Sequence, residues 1–297
     1  MDRFEHQLGK KFLVTMEVNP PKGTDLAEIL TAVEGVRGRV DAINVTDGSG
    51  AIMRAASWGV AKAVLDAGVD PILQMTCRDR NRLALQADLL GASMLGIRNV
   101  LLLTGDDPKA GDHPEAKPVF DLNSGQLMQV AKGLTEGRDM AGKELKGTPC
   151  LCIGAAADPG AKDLDVELQK FQAKINGGAQ FFQTQAVFEV ESLKRFMAKV
   201  KSCGKPVLAG ILLVKSAKMA RYMNEHVWGI HVPEETIARF ERATDAKAEC
   251  VKVAVELIRA VRGVADGIHL YALGWEALIP DILRESGIAS GSAMKVA

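Results

Sequence analysis

The sequence predicts an α/β protein folded as a single (β/α)8 barrel, the TIM-barrel arrangement, across residues 1–297. Eight short apolar or β-branched runs alternate with amphipathic stretches whose apolar residues recur every three or four positions, the patterns of buried strands and of surface helices. The first four runs start at residues 12, 41, 70 and 99, one every 29 residues, enough for one strand, one helix and two loops. A chain of 297 residues also suits a barrel, which takes about 250 residues as one domain.

In order, the runs are Phe12–Val18, Asp41–Thr46, Asp70–Thr76, Asn99–Thr104, Pro149–Ala155, Ala179–Ala186, Pro206–Val214 and Gly267–Leu273. Arg80–Leu95 and Val190–Val200 are the clearest helices between them. Gly38, Gly68, Gly96, Gly177, Gly178 and Gly204 precede strands, where a helix must end and the chain turn. Strands this uniformly apolar belong to a parallel sheet covered by helices. Eight such units match a closed barrel better than the alternative, an open doubly wound sheet. The LxxLxLxxN signature of a leucine-rich solenoid is absent. Two connections are long: Gly105–Leu122, rich in Pro, Asp and Gly, and Lys215–Ala265, which holds two or three helices with a break at His231–Val232–Pro233. Polar loops of this length are usually functional. Residues 287–297 are expected to form a flexible tail.

The chain carries 37 basic and 37 acidic residues, without long blocks of one sign, so nothing calls for nucleic acid or an anionic membrane. The N-terminal stretch MDRFEHQLGKKF has no apolar signal core, and no run reaches the roughly 18 apolar residues of a membrane span, so a cytoplasmic location is expected. Five cysteines without CxxC spacing argue against a disulfide framework or a zinc site and are expected to be small buried residues.

In a barrel the chemistry sits at the C-terminal ends of the strands. The polar residues there are Glu17, Thr46 with Asp47, Gln74 with Thr76, Asp106, Asp158, Gln185, and Lys215 with Ser216. Glu17 interrupts an apolar run, so its carboxylate must be solvated, paired with a rim cation or hold its proton more tightly, and the last suits a general acid. Asp106 follows a glycine that permits close approach of a ligand; a turn cap is the alternative. Thr46–Asp47–Gly48–Ser49–Gly50 offers small residues and backbone donors to a phosphate or ribityl chain, or is an ordinary turn, since it lacks GxGxxG or P-loop spacing. His113 and His269 have no second ligand at metal-binding spacing, so no metal site is expected. Ile211–Val214 reads as core, and no GxSxG or Cys–His arrangement announces a nucleophile.

At this point the residues resemble a known family. Gln74–Met75–Thr76–Cys77–Arg78, then Gly96–Ile97–Arg98–Asn99 running to Thr104–Gly105–Asp106, are similar to methylenetetrahydrofolate reductase. So are Glu17 in Glu17–Val18–Asn19–Pro20–Pro21–Lys22, Lys174 in Lys174–Ile175–Asn176–Gly177–Gly178–Ala179, and Thr184–Gln185. The matches run in order over roughly residues 12 to 285. The resemblance implies a flavin-bearing barrel that reduces 5,10-methylenetetrahydrofolate to 5-methyltetrahydrofolate, or runs the reverse, in one-carbon metabolism and methionine biosynthesis. It implies Glu17 as the acid that opens the imidazolidine ring, Asp106 as a partner of the pterin beside the flavin, and Gln185 as a folate ligand. Thr46, Gln74, Thr76, Thr104, Gly105 and Lys174 would contact the flavin. A hydride carrier asks the protein for stacking, orientation and one proton, so a missing triad or metal set fits.

Several positions depart from the best-known bacterial pattern. Gln74 stands in place of His, Thr104 in place of Arg, and Lys170 in place of Asn, so the implied cofactor is FAD with FMN as the alternative. Ala217 replaces a phenylalanine that stacks on NADH, and Trp275 replaces a basic residue. Together with Gly154–Ala155–Ala156–Ala157–Asp158–Pro159, these resemble the short reductases of acetogenic and related anaerobic bacteria. The implied electron donor is therefore NAD(P)H or a partner iron–sulfur or zinc subunit, in a homo- or hetero-oligomer. The alternatives are another flavin-binding barrel, such as a proline-dehydrogenase-like one, and a flavin-free folate-binding subunit of a methyl-transfer complex.

Overall fold

The computed structural model describes residues 3–227 and 229–288. Its eight strands are β1 (Leu13–Val18), β2 (Ala42–Val45), β3 (Pro71–Thr76), β4 (Asn99–Leu103), β5 (Cys152–Ala157), β6 (Phe181–Ala186), β7 (Val207–Leu212) and β8 (Gly267–Tyr271). All pair in parallel and in sequence order, and β1 closes on β8, which rules out the open sheet. The helices are α1 (Phe4–Gln7), α2 (Ala27–Val36), α3 (Ser57–Asp66), α4 (Arg82–Met94), α5 (Ser124–Thr135), α6 (Leu164–Asn176), α7 (Val190–Val200), α8 (Ala217–His226), α9 (Glu234–Arg242), α10 (Ala246–Val261) and α11 (Ile279–Glu285). Gly68 and Gly96 turn into β3 and β4 with φ of 83° and 86°, a conformation that costs other residues a Cβ clash.

Two expectations need correction. The fifth strand begins at Cys152 instead of Pro149, because the chain before it makes a local excursion that pairs Arg138 with Glu144, and it continues through the small residues Ala156 and Ala157. The cysteines are not uniformly buried: Cys77, Cys152 and Cys250 are, but Cys150 lies in the exposed lead-in to β5 and Cys203 is half-buried. Most of the expected tail, residues 289–297, lies outside the described residues.

Within each strand the side chains alternate. Val14, Met16 and Val18 of β1, and their equivalents elsewhere, pack outward beneath the helices. Leu13, Ala42, Ile72, Leu101, Cys152, Phe181 and Leu208 point inward and form an apolar floor in the barrel. Phe4, fully buried on α1, plugs that floor from below, edge-to-face with Phe181 at 5.2 Å. Its amide donates to Asp70 Oδ2 at 2.6 Å.

Gly154 makes room for this floor, since a Cβ there would stand 2.3 Å from Phe181 Cζ. Phe181 is held by Phe4 and has little freedom to yield. Gly154→Val is therefore expected to lower the unfolding free energy by about 2 kcal/mol through overpacking. Urea denaturation measures it, and an unshifted midpoint would mean the floor repacks freely.

Candidate active site

Above the floor, the next inward positions are polar on β1, β2, β3, β6 and β8. Asn44 Nδ2 donates to Gln183 Oε1 at 2.7 Å, and Gln183 Nε2 donates back to Asn44 Oδ1 at 3.0 Å and to Thr15 Oγ1 at 3.1 Å. β2 and β6 lie opposite each other in an eight-stranded ring, so these bonds cross the lumen. Thr15 Oγ1 in turn meets His269 Nδ1 at 2.9 Å. All four side chains are buried.

Glu17, two residues beyond Thr15 on β1, occupies the layer above and is also buried. Its Oε2 lies 3.8 Å from His269 Nε2, too far for a direct hydrogen bond, and that nitrogen has no hydrogen-bond partner. Among the described residues Glu17 forms no ion pair with Lys or Arg. The network accepts either imidazole tautomer. With the proton on Nδ1, His269 donates to Thr15, whose hydroxyl passes its own proton to the Ile268 carbonyl at 3.3 Å, and Nε2 is free to accept. With the proton on Nε2, the Thr15 hydroxyl donates to Nδ1 and the N–H faces Glu17. Tyr271 packs edge-on to His269 at 4.6 Å and donates to the Thr184 carbonyl at 2.7 Å. Burial, reinforced by the charge of Glu17, pushes its phenol well above the usual range, so it stays neutral.

The remaining candidates sit around the same C-terminal rim, but not at one cavity. Thr46 donates its hydroxyl to Asn19, and Thr76 donates to Asp47 at 2.9 Å. Gln74 is buried at the end of β3. Thr104 falls on the outward alternation of its strand and bonds Ser124 at the start of α5. Gly105 lets β4 pass close to Arg78 and Thr76, each of which would stand 3.0 Å from a Cβ. Asp106 is exposed and accepts from the Gly50 amide at 2.8 Å, tying the loop after β4 to the loop after β2.

On the opposite arc, the loops after β5 and β6 and helix α8 enclose a cavity of about 960 Å³, near the upper end of ligand-site sizes. Asp158, Lys170, Ser192 and His226 line it. Burial raises the pKa of Asp158. Beside it Lys174 donates to the Ala156 carbonyl at 2.6 Å, and burial lowers its pKa. Gln185 is half-buried, and Gly229, from the loop after α8, lies against it. The volume and the lysines at its edge, Lys162 and Lys170, fit the phosphate-bearing part of a flavin nucleotide, whereas the space over Gly48 and Gly105 is taken up by Arg78 and Thr76.

Thr15, Asn44 and Gln183 were not among the sequence candidates, and His269 was considered only as a metal ligand. Among the described residues no cluster of three or more His, Cys, Asp or Glu is placed to hold a metal ion, and no helix is long and apolar enough to cross a membrane.

The structure is thus a closed (β/α)8 barrel with a buried carboxylate and imidazole side by side at its mouth. A family model described as methylenetetrahydrofolate reductase matches residues 3–287. The chain belongs to the methylenetetrahydrofolate reductase family. Methylenetetrahydrofolate reductase 1 of Schizosaccharomyces pombe is 23% identical over 297 residues, covering 94% of this chain and 46% of that protein. The 5,10-methylenetetrahydrofolate reductase of Salmonella typhimurium is 26% identical over 294 residues, covering 94% of this chain and 92% of that one. The chain thus spans less than half the length of its eukaryotic relatives and nearly all of its bacterial ones. Among solved structures, a Clostridium thermocellum protein that binds two copies of 5-methyl-5,6,7,8-tetrahydrofolic acid aligns with a TM-score of 0.63 at 16% identity, covering 94% of this chain and 97% of that one.

Proposed function

We propose that the chain reduces 5,10-methylenetetrahydrofolate to 5-methyltetrahydrofolate with a bound flavin, FAD or alternatively FMN. The observation that carries this is the buried Glu17 beside His269, above a polar network that crosses the barrel, in a chain of this family. The flavin, when bound, supplies the hydride chemistry. Glu17 holds the proton that the bridging nitrogen of the substrate takes as its ring opens, and His269 with Thr15 restores it. Gln185, at the end of β6, and Asp106, after β4, orient the folate at the mouth. Lys170 and Lys174 hold the phosphate end of the flavin, and Gln74, Thr76 and Gly105 border its ring. The folate bound by the Clostridium thermocellum neighbour supports the same ligand class here. The test is direct: the purified chain should be yellow, bleach with dithionite and regain its absorbance on addition of methylenetetrahydrofolate. A colourless protein, or one whose reduced flavin ignores the folate, overturns the reading; extraction identifies the nucleotide.

The electron donor follows from Ala217. It sits at the first turn of α8, half-buried, where it gives a nicotinamide ring no aromatic plate. Tyr222 does not replace it: five residues onward it lies on a different face of α8, 60% exposed. Trp228, another candidate replacement, lies outside the described residues. Stacking of this kind is worth about 1 kcal/mol. The lone chain should therefore be a poor NADH–folate reductase, active with a reduced low-potential dye and dependent on a partner iron–sulfur or zinc subunit. Saturable NADH turnover at micromolar concentrations would refute this.

A further inference from the structure

Gln183 sits one layer below Glu17 and is 2% exposed, so no substrate reaches it. Its amide is nevertheless fully committed. Nε2 has two hydrogens, one given to Asn44 Oδ1 and the other to Thr15 Oγ1, while Oε1 takes a hydrogen from Asn44 Nδ2. Two amides paired in this reciprocal way can stand as they are or with both reversed. As they stand, a nitrogen of Gln183 faces Thr15. Reversed, an oxygen would.

That choice travels to Glu17, because a hydroxyl has one hydrogen to give. Thr15 Oγ1 accepts from Gln183 and keeps its own hydrogen for one of two neighbours, His269 Nδ1 at 2.9 Å or the Ile268 carbonyl at 3.3 Å. The first distance lies within the ordinary hydrogen-bond range and the second outside it. When Thr15 donates to Nδ1, the neutral imidazole carries its hydrogen on Nε2, the atom 3.8 Å from Glu17 Oε2. With the amides reversed, Thr15 would donate to Gln183 Oε1 and His269 would donate from Nδ1. A lone pair, not an N–H, would then face the carboxylate.

The fold ties Gln183 to His269 a second time. Gln183 pairs with Leu208 and Ala186 with Gly210, so β6 carries one extra residue between them. Such a bulge re-aims side chains and leaves backbone groups without ladder partners. Within it the Thr184 carbonyl accepts from Tyr271, the ring packed edge-on to His269. Gly210 makes room for the bulge, since a Cβ there would stand 2.6 Å from the Thr184 carbonyl oxygen. Gln183 thus holds the hydroxyl bonded to the imidazole, and the next residue holds the ring beside it.

We propose that Gln183, held by Asn44, is a positioning residue that fixes the tautomer of His269 with its N–H toward Glu17. The carboxylate left when Glu17 gives up its proton then meets a donor already turned to it. The layer is uncharged and acts through the direction of its hydrogens alone. The proposal rests on Glu17 as the acid of the reaction above, but the tautomer can be read without any folate.

NMR of the histidine ring nitrogens at mildly alkaline pH distinguishes the two neutral tautomers, and His269→Asn identifies the signal. The parent should carry the hydrogen on Nε2. The double variant Gln183→Leu/Asn44→Leu removes both amides and so strands neither, and it should let the two tautomers mix. It should also slow reoxidation of the reduced flavin by saturating methylenetetrahydrofolate about tenfold, the scale of one hydrogen bond to a charged group. The KM for folate and reduction by dithionite should stay unchanged. Thr15→Val should mix the tautomers in the same way, and Thr15→Ser, which keeps the hydroxyl, should match the parent. If the parent carries the hydrogen on Nδ1, or if the double variant and Thr15→Val keep the parental tautomer, the assignment falls and the folate reading stands. Mixed tautomers with an unchanged reoxidation rate also overturn it. A parent whose reduced flavin ignores the folate overturns the folate reading and, with it, the role given to this tautomer.

Discussion

Glu17→Gln is expected to cut turnover of methylenetetrahydrofolate at least about 100-fold, close to 2.7 kcal/mol of barrier, with fold and flavin content intact. Glutamine keeps the shape and buries no new charge, so the neighbouring Thr15–His269–Gln183–Asn44 network has no reason to rearrange. What is lost is a proton that can leave. Reduction of the flavin by dithionite should be unaffected, because that step does not use the carboxyl group. Stopped-flow measurement of the two half-reactions separates them, and a variant that keeps more than about a third of folate turnover removes Glu17 from the chemistry.

Asp47→Ala should be the most destabilising single change at the rim, by about 3 kcal/mol or more. Asp47 is buried and accepts from the Thr76 amide at 2.8 Å, the Thr76 hydroxyl at 2.9 Å, Arg80 Nη1 at 2.7 Å and Arg80 Nη2 at 3.2 Å. Removing it leaves a largely buried guanidinium with Asp88 as its remaining carboxylate and a long bond to the Thr76 carbonyl, and orphans two donors of Thr76. Such a loss is a substantial part of a domain's total stability. Asp47→Asn, which keeps acceptors but not the charge, should fall between the two. The denaturant midpoint reports both, and a loss below about 1 kcal/mol would show that the rim relaxes around the gap.

The barrel was legible because its strands are apolar on both faces and its βα units recur at a fixed interval. That same uniformity hid the inner network. Outward residues such as Met16 and Ile43 are as apolar as a helix-covered sheet requires, so Thr15, Asn44 and Gln183 lie inside runs that read as continuously apolar and do not mark themselves as successive inward positions. Thr15-x-Glu17, Asn44-x-Thr46, Gln183-x-Gln185 and His269-x-Tyr271 all show the period of two that marks one face. His269 was legible only as an isolated histidine, since its partner Glu17 lies on the strand brought alongside by closure, more than 250 residues away in sequence. Thr104 ended an apolar run as a site residue should, but parity turns it toward Ser124.

The buried Phe4 gives the molecule an internal clock. Its ring rests on Phe181 of the sixth strand and its amide on Asp70, so it has no seat until the sheet has curled through most of its circumference. During synthesis α1 leaves the ribosome before β6, yet its docking must wait for that strand. Protection of the Phe4 amide from hydrogen exchange during refolding should therefore rise with ring closure and not with the early helices, which makes one proton a reporter of the last step of assembly.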